Sequence, residues 1–130
     1  MFFFCLLVLE SFTFRLAGGD NNRYGRIEAK YGVKWATICR YGWSNIVASV
    51  MCKQLGFDTG TGHKKLFGGG SGPTHVIALK CLGNESKLQE CELSRMYNDV
   101  IFCPHDQDIG VVCAYNNDCE YKIMNELYSF

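Results

Sequence analysis

The chain has 130 residues, enough for one domain with a modest core, and it sets 13 Lys and Arg against 13 Asp and Glu. A net charge of zero excludes recognition of nucleic acid or membrane by a whole-protein field, so any electrostatic recognition must be local. Eight cysteines exclude an ordinary cytosolic domain, where thiols stay reduced, and 14 glycines with 2 prolines suit a loop-rich domain with tight turns.

Residues 1–9 (MFFFCLLVL) form an unbroken apolar run with the length of a signal-peptide h-region, too short to cross a bilayer. No Lys or Arg precedes the run and no A-x-A site follows it. Residues 1–13 therefore read as a signal peptide cleaved near Ser11, or as a truncated start. No later stretch reads as a transmembrane helix. The folded domain is expected over residues 14–114, with residues 115–130 as a C-terminal tail.

Residues 14–17 read as a short strand ended by Gly18, Gly19 and Asp20. Residues 26–31 alternate, with Ile27, Ala29 and Tyr31 on one face and Arg26, Glu28 and Lys30 on the other, the period of a half-buried strand. A turn at Tyr31-Gly32 returns the chain through residues 33–39, which carry Trp35, to complete a hairpin. Ser44 or Asn45 caps a helix to Leu55. Val47, Val50, Met51 and Leu55, with Ile46 beside them, give that helix an apolar stripe. Gly56 stands where a left-handed C-cap is wanted, and Cys52 faces the core.

Residues 59–73 are dominated by glycine and read as a long mobile connection. Residues 76–81 read as a strand. Ser86-Lys-Leu-Gln89 matches a capping box and opens a short helical turn through Cys91. Residues 92–107 read as irregular, and residues 109–114 as a final buried strand. No internal repeat is visible.

Cys39, Cys52, Cys81, Cys91, Cys103 and Cys113 run through this order without a C-x-x-C pair. Structural zinc sites bring their ligands in close pairs. Here only Cys103-Pro-His105 has short Cys/His spacing, and it lacks a second pair. The frame therefore reads as a disulfide scaffold, with the pairing left open by spacing alone. Cys5 and Cys119 lie outside the frame. If Cys5 leaves with a signal peptide, Cys119 is odd, which predicts a disulfide-linked oligomer or a free thiol. A Cys5–Cys119 bridge would need a retained N-terminus.

The text between the cysteines narrows the scaffold. Arg15-Leu-Ala-Gly-Gly19, Gly25-Arg-Ile-Glu28, Trp35-Ala-Thr-Ile-Cys39 and Gly42-Trp43 come first, followed by Cys52-Lys-Gln-Leu-Gly56. Gly70-Ser-Gly-Pro73, Cys81-Leu-Gly-Asn-Glu85 and Asp108-Ile-Gly-Val-Val-Cys113 complete the order. Over most of its length the chain resembles a scavenger receptor cysteine-rich (SRCR) domain. Arg23 and Phe57 stand where group B members carry an extra pair of half-cystines, so the resemblance is to group A. It implies the pairs Cys39–Cys103, Cys52–Cys113 and Cys81–Cys91. It also implies an α+β fold, a curved antiparallel sheet of about six strands cradling one α-helix, with a short second helix and disulfide staples.

Many members of that family hold a divalent cation with an Asp pair after the first cysteine of the frame and a Glu before the last strand. Here Arg40, Tyr41 and Gln107 stand at those positions, and Val76-Ile-Ala-Leu79 replaces a second acidic stretch. Asp106 and Asp108 alone are a poor ligand set for a hard cation. The expectation is no bound metal and no cofactor. Arg23, Arg26, Lys34 and Arg40 are instead candidates for an anion site. The alternative for Arg40 is a pair with Asp106 or Asp108. Asn84-Glu-Ser86 is an N-glycosylation sequon. His63, His75 and His105 are scattered, with no nucleophile arranged beside them, so an enzyme is not expected.

The function the resemblance implies is extracellular ligand binding, by a protein that is secreted or is the extracellular part of a membrane protein. Its ligands would be polyanionic or glycan, on microbial or modified self surfaces, and its binding metal-independent. The alternative is a protein–protein interaction module of a larger secreted or membrane protein. Its mark would be an exposed apolar patch formed by Tyr97, Val100, Ile101 and Phe102.

Overall fold

Alternation and turn chemistry set the first half of the sheet. In the computed structural model, which describes residues 12–64, 66–98 and 100–116, β1 (Thr13–Ala17) pairs antiparallel with β2 (Tyr24–Tyr31). β2 turns at Gly32, whose φ of 84° suits glycine, into β3 (Lys34–Ile38). Ile27 and Ala29 are fully buried on the inner face, as the period of two requires. Phe12 also packs into the core, edge-on to His75. The apolar run, the tail beyond residue 116, Cys5, Cys119 and the Tyr31 side chain lie outside the described residues.

Helix α1 (Asn45–Gln54) begins at Ser44, whose hydroxyl accepts from the Val47 N–H, and ends before Gly56 at φ 99°. Val47, Val50, Met51 and Cys52 are buried, but Ile46 and Leu55, expected on or beside the stripe, are exposed. Ala48 takes their place against the sheet. The buried arc is therefore narrower than the apolar residues suggest.

The glycine-rich stretch that reads as a mobile connection contains β4 (Thr59–Lys64), fully paired with the last strand, β7 (Ile109–Ala114). The reason is packing. A Cβ at Gly60 would strike the Cys52 sulfur and the Val112 carbonyl oxygen. Glycine here permits close approach of helix and strand and does not signal mobility. The stretch read as irregular likewise contains β6 (Glu92–Tyr97), paired with β5 (Thr74–Lys80). A bulge opposite Ala78 and Leu79 breaks the period of two, so Leu93 and Met96, three apart, both pack against the core.

The strand order is β4-β7-β2-β3-β5-β6, with β1 on the other edge of β2. β3 and β5 are parallel because α1 and β4 lie between them, so the curved sheet is mixed and not wholly antiparallel. The short second helix is a single 3₁₀ turn, Leu88–Glu90. Its capping box is displaced: the Ser86 N–H and hydroxyl both donate to Glu90 and none of the turn's N–H groups is capped by Ser86.

Three disulfides join Cys39 to Cys103, Cys52 to Cys113, and Cys81 to Cys91, across 64, 61 and 10 residues. The first ties the end of β3 to the segment before β7, and the second ties α1 to β7 itself. Replacing Cys52 and Cys113 together by Ala should lower unfolding stability by about 4 kcal/mol, and replacing Cys81 and Cys91 by about 3 kcal/mol, in urea titrations. Equal losses would show that loop length does not govern them. Gly60→Ala should cost about 2 kcal/mol, because neither a bridged sulfur nor a strand carbonyl can move aside; an unchanged urea midpoint would refute that contact.

Candidate ligand-binding faces

Two surfaces carry chemistry: the outer face of the first hairpin and the corner beside Cys39. On the outer face, residues of opposite parity to Ile27 and Ala29 meet across strands. Glu28 lies opposite Arg15 on β1 and Thr37 on β3. Its carboxylate is shared by two guanidiniums. Arg15 reaches Oε1 through Nη2 at 2.7 Å, and Arg26 reaches Oε2 through Nη2 at 3.0 Å. Glu28 is buried, so this outer-face residue is satisfied by charge and not by water. Arg26 also donates to the Phe67 carbonyl at 3.2 Å and is largely enclosed. Arg15 remains about half exposed and lies 3.9 Å over the Trp35 ring, which Lys30 approaches at 5.7 Å.

At the corner, Arg40 and Gln107 are bonded to each other twice. The Arg40 N–H donates to the Gln107 carbonyl at 2.8 Å, and Arg40 Nε donates to Gln107 Oε1 at 2.6 Å. Neither Asp106 nor Asp108 is the partner of the guanidinium. Asp108 is buried and accepts from the Gly70 N–H and from His105 Nδ1, at 2.8 and 2.9 Å. His105 Nε2 lies 2.9 Å from the Gly72 carbonyl, and Nδ1 is also 3.3 Å from the Thr37 hydroxyl. With a carboxylate on one ring nitrogen and a carbonyl on the other, the imidazolium is favoured. The hydrogen bond to Asp108 raises the His105 pKa above 6.5, partly offset by desolvation.

This corner does not fit a hard divalent cation. Asp108 Oδ1 is buried without a hydrogen-bond partner among the described residues, but one such oxygen is a single ligand. The flanking side chains are a guanidinium and an amide already joined together. Elsewhere, Glu85 lies near Cys81 and Cys91, whose sulfurs are joined in a disulfide and so are not thiolate ligands.

The four basic candidates do not form one patch. Arg23 precedes β2, its carbonyl accepting from the Cys113 N–H and its guanidinium 5.7 Å from the Tyr115 ring. Lys34 begins β3 at the opposite end of the hairpin and is exposed. Arg26 is held by Glu28, and Arg40 by Gln107. Arg15 and Lys30, which the sequence reading passed over, gather instead with Arg26 around Glu28 and Trp35. Their alternation with Thr13 and Ala17, and with Glu28, was the available signal. Asn84 is exposed, in a turn whose Leu82 and Gly83 N–H groups donate to Glu85. The apolar patch is exposed in part: Ile101 is 98% and Phe102 68% accessible, with Tyr97 half exposed. Val100 instead packs against Cys39, Val76 and Cys103.

A curved mixed sheet around one helix, stapled by three disulfides, defines a disulfide-stabilised α+β domain. The model of the scavenger receptor cysteine-rich domain matches residues 17–114, and the chain belongs to that family. It is similar to the third SRCR domain of murine neurotrypsin, with 37% identity over 81% of this chain and 98% of that one, at a TM-score of 0.68. It is also similar to the SRCR domain of mouse MARCO, solved in a dimeric form, with 36% identity over 77% and 93% of the two chains, at a TM-score of 0.58. SRCR domains are typically extracellular, receptor-like and non-enzymatic.

Because the His105 pKa is raised on folding, its contribution to stability is fully present below the unfolded value near 6.5 and is lost as pH rises through the higher folded value. The melting-temperature difference between the wild type and His105→Gln should therefore be largest in mild acid and shrink above neutrality. A difference that does not change with pH would remove the Asp108 pair as its cause.

Proposed function

We propose that this domain is an extracellular recognition module for polyanionic ligands, such as sulfated or phosphorylated glycans on microbial or modified self surfaces, and that it binds them without a metal ion. The observation that carries this reading is the outer face of the first hairpin. Arg15, Arg26 and Lys30 meet there around a single carboxylate and a single indole. Glu28 is already shared by two guanidiniums, so the face keeps surplus positive charge. Arg15 is fixed by its ion pair and by the Trp35 ring, which lowers the entropy lost when its exposed edge takes a sulfate or carboxylate. Lys34 pairs with Tyr31, so it falls on the opposite face of the hairpin and adds nothing to this surface.

Metal independence is supported by the Arg40–Gln107 bond, which occupies the corner with donors that repel a cation. The exposed turn at Asn84 supports glycosylation of its sequon. Export, by secretion or as the outer part of a membrane protein, is the setting in which the three disulfides persist.

The test is binding to a heparin dodecasaccharide. The double variant Arg15→Gln, Lys30→Gln should bind about tenfold more weakly, roughly 0.7 kcal/mol per cation, and excess EDTA should change nothing. Equal affinity of the double variant, or loss of binding in EDTA, would overturn the reading.

A further inference from the structure

The corner beside Cys39 holds a second feature that polyanion binding does not use. A cleft of about 440 Å³ opens there, lined by the Cys39–Cys103 bridge, Tyr41, Phe102, Pro104, Arg40 and Gln107. Its walls are apolar and exposed: Tyr41 is 61% and Phe102 68% accessible, with Ile101 beside them at 98%. The segment that carries Ile101 and Phe102 is pinned on both sides. The Val100 N–H donates to the Thr74 carbonyl at 2.8 Å, and Cys103 is bridged to β3. These two side chains are thus presented to solvent between fixed points, and bulky apolar groups held this way mark an interaction site.

We infer that this cleft docks a segment of a partner protein that presents an Asp or Glu side chain next to an aliphatic or aromatic one. The charge of the lining selects the carboxylate, since among the described residues Arg40 is its one cation and no acidic side chain lines it. Gln107 holds Arg40 through Nε, which orients the guanidinium and leaves both Nη groups without a partner among the described residues. Those two groups can take one carboxylate in a fork. A chain terminus is the poorer occupant. Terminal carboxylates are captured by free backbone N–H groups, and those of Cys39, Arg40 and Gln107 are already donating to His75, Gln107 and Pro104. A sulfated glycan is poorer still, because it offers nothing apolar to Tyr41 and Phe102 and finds a single cation.

The probe is the end-blocked tripeptide acetyl-Leu-Glu-Phe-amide, titrated into the oxidised protein and followed by amide resonances. Saturable shifts at Tyr41, Phe102 and Gln107, with a Kd on the order of millimolar, are expected for so short a segment. The glutamine counterpart of the peptide, and the variants Arg40→Gln and Phe102→Ser, should each weaken binding at least about fivefold. Both substitutions fall on exposed residues, and retained amide dispersion reports that the variants fold. Heparin dodecasaccharide should not displace the peptide, and Arg15→Gln, Lys30→Gln should bind it normally, so this cleft and the hairpin face fail or stand separately. Equal binding of the glutamine peptide, or the same shifts produced by acetate alone, would overturn the inference. So would a self-associated form abolished by Phe102→Ser with no response to peptide, which would give the cleft to a second copy of the chain.

Discussion

The junction of α1, β4 and β7 around the Cys52–Cys113 bridge is the constraint on which the rest of the domain depends. Both sulfurs are buried, and the bridge fastens the helix to the last strand across 61 residues of chain. β7 in turn is the strand that carries β4 on one side and β2 on the other. Removing the glycine at position 60 would push the helix off β4, and with it the strand that closes the sheet on that side. Hydrophobic burial holds the inner face, but much of this small core consists of Val, Ala and Cys side chains. In the chain-entropy account, long-range covalent closure offsets what such a core lacks.

The second long bridge, Cys39–Cys103, does a different job. It sits where β3 meets the segment before β7, at the isolated Cys39–Asp108 bridge of backbone pairing. Everything chemically unusual at the corner is placed by that junction: Arg40 and Gln107 face each other one residue beyond the paired positions. Asp108 and His105 then stitch the Gly70 and Gly72 backbone onto it, and the Phe67 ring stacks on Tyr24, so the loop after β4 is held by polar contacts and by apolar packing together. Burying this carboxylate costs desolvation, which the imidazole offsets in part because both of its ring nitrogens find acceptors.

The legible and illegible parts of the fold divide along physical lines. Period two in β2, the Ser44 cap, the Gly56 terminus and the buried run of β7 were readable because each is a local signal. β4 was not, because its glycines serve a helix more than five residues upstream, and close approach between distant segments leaves no local periodicity. β6 was hidden by the bulge, which shifts Leu93 and Met96 onto one side at a spacing of three that does not suit a strand. For the sites, basic residues could be found by type but not grouped. Arg26 points to the problem: on β2 it reads as an outward cation, whereas its neighbour across one carboxylate, Arg15, lies 11 residues earlier in the chain. Only pairing register brings them together.

At the Cys39 corner the contact that sets the backbone is separate from the side chains that set the charge. Arg40 and Gln107 remain joined through main chain, Arg40 N–H to Gln107 carbonyl, by a contact that depends on neither side chain. The side chains at these positions are therefore free to vary while the corner keeps its shape. With acidic side chains, such a site would repel itself unless a cation bridged it. With a guanidinium and an amide, the bridge is internal, since Arg40 Nε bonds Gln107 Oε1 directly. The positive charge is then part of the chain itself and is offered through the donors that Gln107 leaves unused. Such a corner presents a guanidinium whose Nε is held and whose Nη groups face outward from that bond. Tyr41 and Phe102 line the same cleft, so the corner sets an apolar surface directly beside its one guanidinium.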